Sequence, residues 1–421
     1  MVSSVAENDI NKSPGTRYNG TMNKSRSALA FIVLMGIISL FSDLTHEGAR
    51  SIVGPYLGLL GASAATIGFV SGFGELIGYA FRLATGWITD KTKSYWLMAF
   101  IGYAFNLLAI PMLALVPDGG WIWACGLLIL ERFGKAIRHP AKNTMVSFAA
   151  SEVGPGKGFA IQEALDQLGA FLGPVLVFGV MALKGEGATR SSYALAFALL
   201  GIMAIVTLGI LAVAQRRFPH PEQFEKSPDV LGRFNFDGPF WLYMAAIGVM
   251  AAGFVDFPLI AFHLSKQQLI EPTWIPLLYA VAMGVDAMSA LFFGSLFDRR
   301  GLVALMIAVG ISAWFSPLVF LSDQFGLILL GMVIWGIGMG AVESILKAVV
   351  STLVPKSRRA TGFGIFNTVF GVCWFLGSWA MGLLYENALM VVVLLSIGLQ
   401  LSAIPLLWSV RIAQTQRPKS V

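Results

Sequence analysis

The chain of 421 residues is 56% hydrophobic and only 12% charged, with a formal net charge of +6. An ordinary soluble domain carries about 25% charged residues, so this composition excludes a water-covered globule and points to lipid as the solvent. The two cysteines, Cys125 and Cys373, sit in apolar segments and the four histidines in separate ones, which leaves no disulfide framework and no metal-ligand spacing.

Residues 1–27 are polar and read as a disordered cytoplasmic tail. The apolar run behind them is much longer than the core of a cleavable signal, so it reads as a first, retained span. A helix needs about 20 apolar residues to cross about 30 Å of hydrocarbon. On that measure spans fall near 28–58, 64–88, 95–116, 120–138, 158–183 and 191–215. The stretch 216–237, with Arg216, Arg217, Pro219, Pro221, Lys226, Pro228 and Arg233, reads as a cytoplasmic linker. Further spans follow near 238–264, 273–297, 301–321, 325–350, 361–384 and 388–411, and 412–421 is a second tail. The expected architecture is an all-α polytopic membrane protein of twelve transmembrane helices in two six-helix bundles, 28–215 and 238–411. With the N-terminus inside, the lysines and arginines concentrate on inner connections and tails, and the outer loops hold Lys184, Arg190 and Lys266. That bias places both termini in the cytoplasm. The basic balance therefore reflects topology, and no soluble basic module is present to bind nucleic acid.

The two halves resemble each other at three places. Gly86-Trp87-Ile88-Thr89-Asp90-Lys91 after span two matches Gly294-Ser295-Leu296-Phe297-Asp298-Arg299 after span eight. Glu131 and Lys135 in span four match Glu343 and Lys347 in span ten. Gly158-Phe159-Ala160-Ile161 and Phe171-Leu172-Gly173 in span five match Gly362-Phe363-Gly364-Ile365 and Phe375-Leu376-Gly377 in span eleven, every pair 204 residues apart. Such a six-plus-six repeat places a substrate site between the halves near the bilayer midplane.

These segments resemble the major facilitator superfamily, whose signature loop between spans two and three is similar to Gly86–Lys93, with a weaker copy at Gly294–Gly301. The resemblance covers residues 28–411 and implies the fold of that family and secondary active transport. It also implies that Asp90, with Lys91, helps lock a cytoplasmic gate, and that Asp298, with Arg299, does the same in the second half. The alternative for both is a capped turn at a helix N-terminus. Gly169-Ala170-Phe171-Leu172-Gly173-Pro174 resembles the Gly-x-x-x-Gly-Pro signature of proton-coupled antiporters. Its glycines permit close helix approach and its proline a bend, although ordinary packing accounts for the glycines equally well. Span four, Glu131 to Arg138, departs from the family pattern of an arginine followed by Gln-Gly, with no glutamine and altered glycine spacing, which weakens the carry-over of that arginine's proton-coupling role to Arg132.

Ionisable side chains at bilayer depth cost about 2.5–3.5 kcal/mol each and are candidate functional groups. Asp43, His46, Glu47 and Arg50 share one face of span one. Asp43 and Glu47 repel when both are ionised, and His46 sits where it can share a proton with them. The stripe is either a proton-coupling or substrate-contacting site or a fixed ion-pair network. Glu75 in span two faces that stripe, and Arg82, seven residues on along the same face and nearer the cytoplasm, either snorkels or supports the gate. Glu163 and Asp166 in span five, with Arg132 and Lys135 as partners, read as inner-gate ion pairs or as proton carriers. In the second half Glu343 and Lys347 satisfy each other, whereas Asp256 and Asp286 have no local partner and join the candidate list.

No nucleotide-cradling Gly-rich loop, catalytic constellation, metal site or cofactor motif emerges, so an ATP-driven pump and an intramembrane enzyme are disfavoured. The expected partners are a small-molecule substrate, protons and membrane lipid, with no nucleic acid, for a monomer in the cell (inner) membrane. Proton-coupled efflux of a small organic solute is the leading reading. Proton-coupled import of a polar or anionic metabolite or metal chelate is the rival, with Arg50, Arg82 and Lys347 as counter-charges.

Overall fold

The computed structural model describes residues 14–185, 187, 189–224, 236–354 and 359–415. Of the expected tails and linker, residues 1–13, 225–235 and 416–421 lie outside the described residues, while 14–27, expected to be disordered, continue the first helix toward the N-terminus. No strand occurs among the described residues. The first half comprises α1 (Pro14–Leu59), α2 (Ala64–Thr92), α3 (Tyr95–Met112), α4 (Trp121–Val153), α5 (Pro155–Lys184) and α6 (Arg190–Arg217). The second comprises α7 (Gly238–Gly253), α8 (Phe257–Lys266), α9 (Ile275–Arg300), α10 (Leu302–Ser312), α11 (Phe315–Phe320), α12 (Phe325–Leu353), α13 (Arg359–Tyr385) and α14 (Leu389–Thr415). Eleven of these helices or helix pairs are long and apolar enough to cross a membrane, which makes the chain a multi-pass membrane protein. The helix α4 falls outside that count because Glu131, Arg132, Lys135, Arg138 and Lys142 interrupt its apolar surface. It runs fifteen residues past the expected end at 138, because most of those charges find partners inside the bundle and need no aqueous loop.

The seventh span is broken. The segment from Phe254 to Asp256 leaves the helix, Asp256 caps α8 by accepting from the Phe257 amide at 2.9 Å, and Pro258 follows in the first turn. The carbonyls freed by the break are answered by side chains, as a non-aqueous interior requires. Val255 accepts from Trp335 Nε1 at 3.0 Å, and Gly253 from Ser396 Oγ at 2.8 Å and Gln400 Nε2 at 3.2 Å. The span after α9 is likewise split into α10 and α11.

Small residues set the close approaches. A Cβ on Gly173 would stand 2.8 Å from the Gly48 nitrogen, so α5 lies backbone to backbone on α1. Gly377, the repeat partner of Gly173, meets Ala252, the repeat partner of Gly48, with a built Cβ 2.6 Å from its Cα. The internal repeat read from the sequence is thus a repeat of packing as well. Between the halves, Gly54 meets the Pro258 carbonyl and Gly58 the Phe262 ring, while Gly68 and Gly72 of α2 face Gly382 and Phe375 of α13. These contacts close the two halves together at the end that bears the α1–α2 turn.

Candidate functional site

The stripe of α1 enters a buried charge cluster beside α2, α3 and α4. Glu131 of α4 draws the Asn106 amide and the His46 ring, whose Nδ1 stands 2.8 Å from Glu131 Oε1. On the other side His46 Nε2 is 3.3 Å from Arg132 Nη1. A guanidinium only donates, so Nε2 accepts and Nδ1–H donates to Glu131, which is the neutral tautomer. Arg132 also meets Glu75 Oε1 at 2.9 Å and Glu131 Oε2 at 3.3 Å. A cavity of about 30 Å3, lined by His46, Arg50, Ser71, Glu131 and Arg132, lies at the centre and has room for a water molecule.

Arg50 ties this cluster to the second half. Its Nη2 stands 2.5 Å from Asp256 Oδ1 at the break in the seventh span, with Glu47 Oε2 at 3.7 Å from Nη1 and Glu75 Oε1 at 4.0 Å from Nη2. The Tyr279 hydroxyl of α9 donates to Glu47 Oε2 at 2.6 Å. Two elements of the second half therefore touch two consecutive charges of the α1 stripe, so a movement of the halves that separated these side chains would break both contacts.

Asp43, the fourth member of the stripe, belongs to a separate group. Arg138 Nη2 lies 3.4 Å from Asp43 Oδ1, and its guanidinium covers the Tyr103 ring at 4.6 Å. One turn further, Lys142 Nζ bridges Ser39 Oγ at 2.7 Å and Asp166 Oδ2 at 3.3 Å. The structure thus brings His46, Glu47, Arg50, Glu75 and Asp256 together, while Asp43 stands with the α4–α5 group.

Asp286 is apart from both. It is 2% exposed, packs on α12 at Gly340, and its Oδ1 has no hydrogen-bond partner among the described residues. Beside it a cavity of about 710 Å3 lies between α5, α9 and α12. Glu163, Gln167, Glu343 and Lys347 line it. The expected Glu343–Lys347 pair does not close to an ion pair among the described residues. Gln167 Nε2 reaches across the halves to Glu343 Oε2 at 3.3 Å instead, because a neighbour on the facing helix is nearer than the one on the next turn.

The expected gate residues are dispersed. The Asp90 side chain lies outside the described residues. Lys91 stacks over Trp87 at 4.9 Å and Arg82 over Tyr79 at 4.8 Å, while Asp298 and Arg299 are exposed. Arg132 sits in the central cluster, and the partner of Asp166 is Lys142. Of the packing motif, Gly169 and Gly173 press on α1, and Pro174 lies inside an α5 that continues to Lys184. Sequence reasoning missed Glu131, Arg138, Lys142, Asn106 and Tyr279 as site residues. A signal was present in α4, where 131, 135, 138 and 142 follow helical spacing; the tyrosine and asparagine left no such mark.

Comparison with known proteins agrees with this architecture. The family profile of the Major Facilitator Superfamily matches residues 27–378. An uncharacterized protein of Mycobacterium tuberculosis (strain ATCC 25618 / H37Rv) is 36% identical over 400 residues, covering 93% of this chain and 96% of its own. An uncharacterized MFS-type transporter of Methanocaldococcus jannaschii is 25% identical over 405 residues, covering 92% of this chain and 94% of its own. Among solved structures, the nucleoside transporter NupG superposes with a TM-score of 0.72 at 14% identity, over 90% of this chain and 99% of its own. Members of this family are transporters of small molecules and not enzymes. With its repeat, its broken seventh span and its buried charges shared between halves, the chain belongs to the Major Facilitator Superfamily.

Proposed function

We propose that the chain is a secondary active transporter that exports a small organic solute across the cell membrane in exchange for protons, by alternating access. The observation that supports this reading is the Arg50–Asp256 pair, which joins a buried carboxylate, imidazole and guanidinium cluster of one half to the helix break of the other. A cluster of this kind holds a proton or releases it according to which partners remain close, and here the partners separate when the halves rock. In this reading Glu47, His46, Glu75 and Glu131 are the proton-handling groups, and Asp43 with Asp166 forms the neighbouring set. Twelve spans are counted, with α4 as the charged fourth span, and both termini face the cytoplasm. The gate role of Asp90, Lys91, Asp298 and Arg299 and a monomeric state belong to the same proposal. Import by proton symport is the second reading, favoured by the arginines in the central cluster.

A thermal-shift screen of a compound library on the purified chain identifies binders, because a ligand of the folded state raises its apparent stability. Counterflow of those binders is then followed in inside-out and right-side-out vesicles. Accumulation only down an inward proton gradient in right-side-out vesicles would end the exporter reading.

A further inference from the structure

The cavity between α5, α9 and α12 crosses the seam between the halves, and its volume of about 710 Å3 falls in the range of drug-sized ligand sites, about 300–1,000 Å3. Leu168, Phe171, Met283 and Leu291 give it apolar walls. Its charges do not balance. Exposed Glu163 and Glu343 face a single ammonium, that of Lys347. Behind the wall, Asp286 is buried on the same helix as Met283 and Leu291, with one carboxylate oxygen unpartnered. The lining thus carries one more carboxylate than it has ammonium groups, with the Asp286 carboxyl group buried behind it. The face of the Phe171 ring adds a surface that attracts cations.

We propose that this cavity binds an amphipathic organic monocation, with its apolar body against Phe171, Leu168 and Leu291 and its positive centre between Glu163 and Glu343. An anion of the same shape meets two carboxylates at the mouth. A neutral compound covers the excess carboxylate of the Glu163, Glu343 and Lys347 set without supplying a counter-charge, and burying uncompensated charge is costly. The assignment rests on the transport reading given above and names its substrate class.

Tetraphenylphosphonium, a permanent apolar cation, and tetraphenylborate, an anion of matching shape, are titrated into the purified full chain at equilibrium without any gradient. Tetraphenylphosphonium is expected to bind and tetraphenylborate not to. Glu163→Gln and Glu343→Gln are each expected to weaken the cation about tenfold, the effect of losing one partly screened charge. Lys347→Gln is expected to tighten it, a change that misfolding cannot produce. The unfolding temperature of each variant is read alongside. Absence of cation binding, equal binding of the anion, or wild-type affinity in both carboxylate variants would overturn the proposal. Proton coupling is read separately, as substrate-driven pH change in liposomes, so its failure with cation binding intact sinks the antiport reading and leaves this one standing.

Discussion

Removing the charge of Asp256 tests whether the contact between the halves holds this conformation. The replacement Asp256→Asn keeps an oxygen able to cap α8 at Phe257, so the helix start survives and only the ion pair is lost. Two opposite charges about 4 Å apart attract by about 4 kcal/mol at an effective dielectric of about 20. The Arg50–Asp256 pair is shorter, 2.5 Å, with Asp256 buried and Arg50 only 10% exposed at its side chain. Arg50 retains Glu47 and Glu75 at 3.7 and 4.0 Å, which offsets part of the loss. A net cost of about 2–3 kcal/mol to the closed end is expected, or roughly 30- to 150-fold in its population relative to the open form. Spin labels on cysteines introduced at Leu59 and Gln267, after replacement of Cys125 and Cys373, report the separation of α1 and α8 by pulsed EPR. The short-distance population should dominate in the parent and give way to a longer one in the variant. Superimposable distance distributions would refute the claim that this pair latches the halves.

Other substitutions probe the remaining features. Glu47→Gln and Asp43→Asn should each abolish proton-driven concentration of substrate in proteoliposomes while leaving exchange down a substrate gradient partly intact; normal uphill transport in both would make the α1 stripe structural. Arg138→Gln leaves Asp43, 18% exposed at its side chain, without its ion-pair partner and uncovers Tyr103, at a cost of about 1–3 kcal/mol, and thermal unfolding should fall accordingly. Gly173→Leu has no space beside Gly48 and should cost at least about 3 kcal/mol. Gly179→Leu, where nothing stands within 4 Å of a built Cβ, should unfold at the parent temperature.

The helices and the repeated glycine contacts were legible because apolar runs and equal offsets are properties of the chain itself. The α1 stripe was legible for the same reason, since residues three and four apart share a face whatever surrounds them. Partners across helices were not. Nothing in the sequence around Asp256 or Tyr279 announces Arg50 and Glu47, because those contacts depend on how two bundles meet. The charge-rich end of α4 looked like a loop since charge normally marks water, and only the facing Asp43, Ser39 and Asp166 explain its burial. Glu343 and Lys347 show the converse error, where correct helical spacing was taken for a bond that Gln167 wins.

The elbow at Phe254–Asp256 has its loose carbonyls pinned by Trp335, Ser396 and Gln400, side chains from two other helices of the same half. Such an elbow cannot straighten and refold with each transport cycle without stranding those donors. The elbow is thus braced by the frame of its own half, and a tilt of that half would carry Asp256, like the tooth of a lever, against or away from the guanidinium of Arg50.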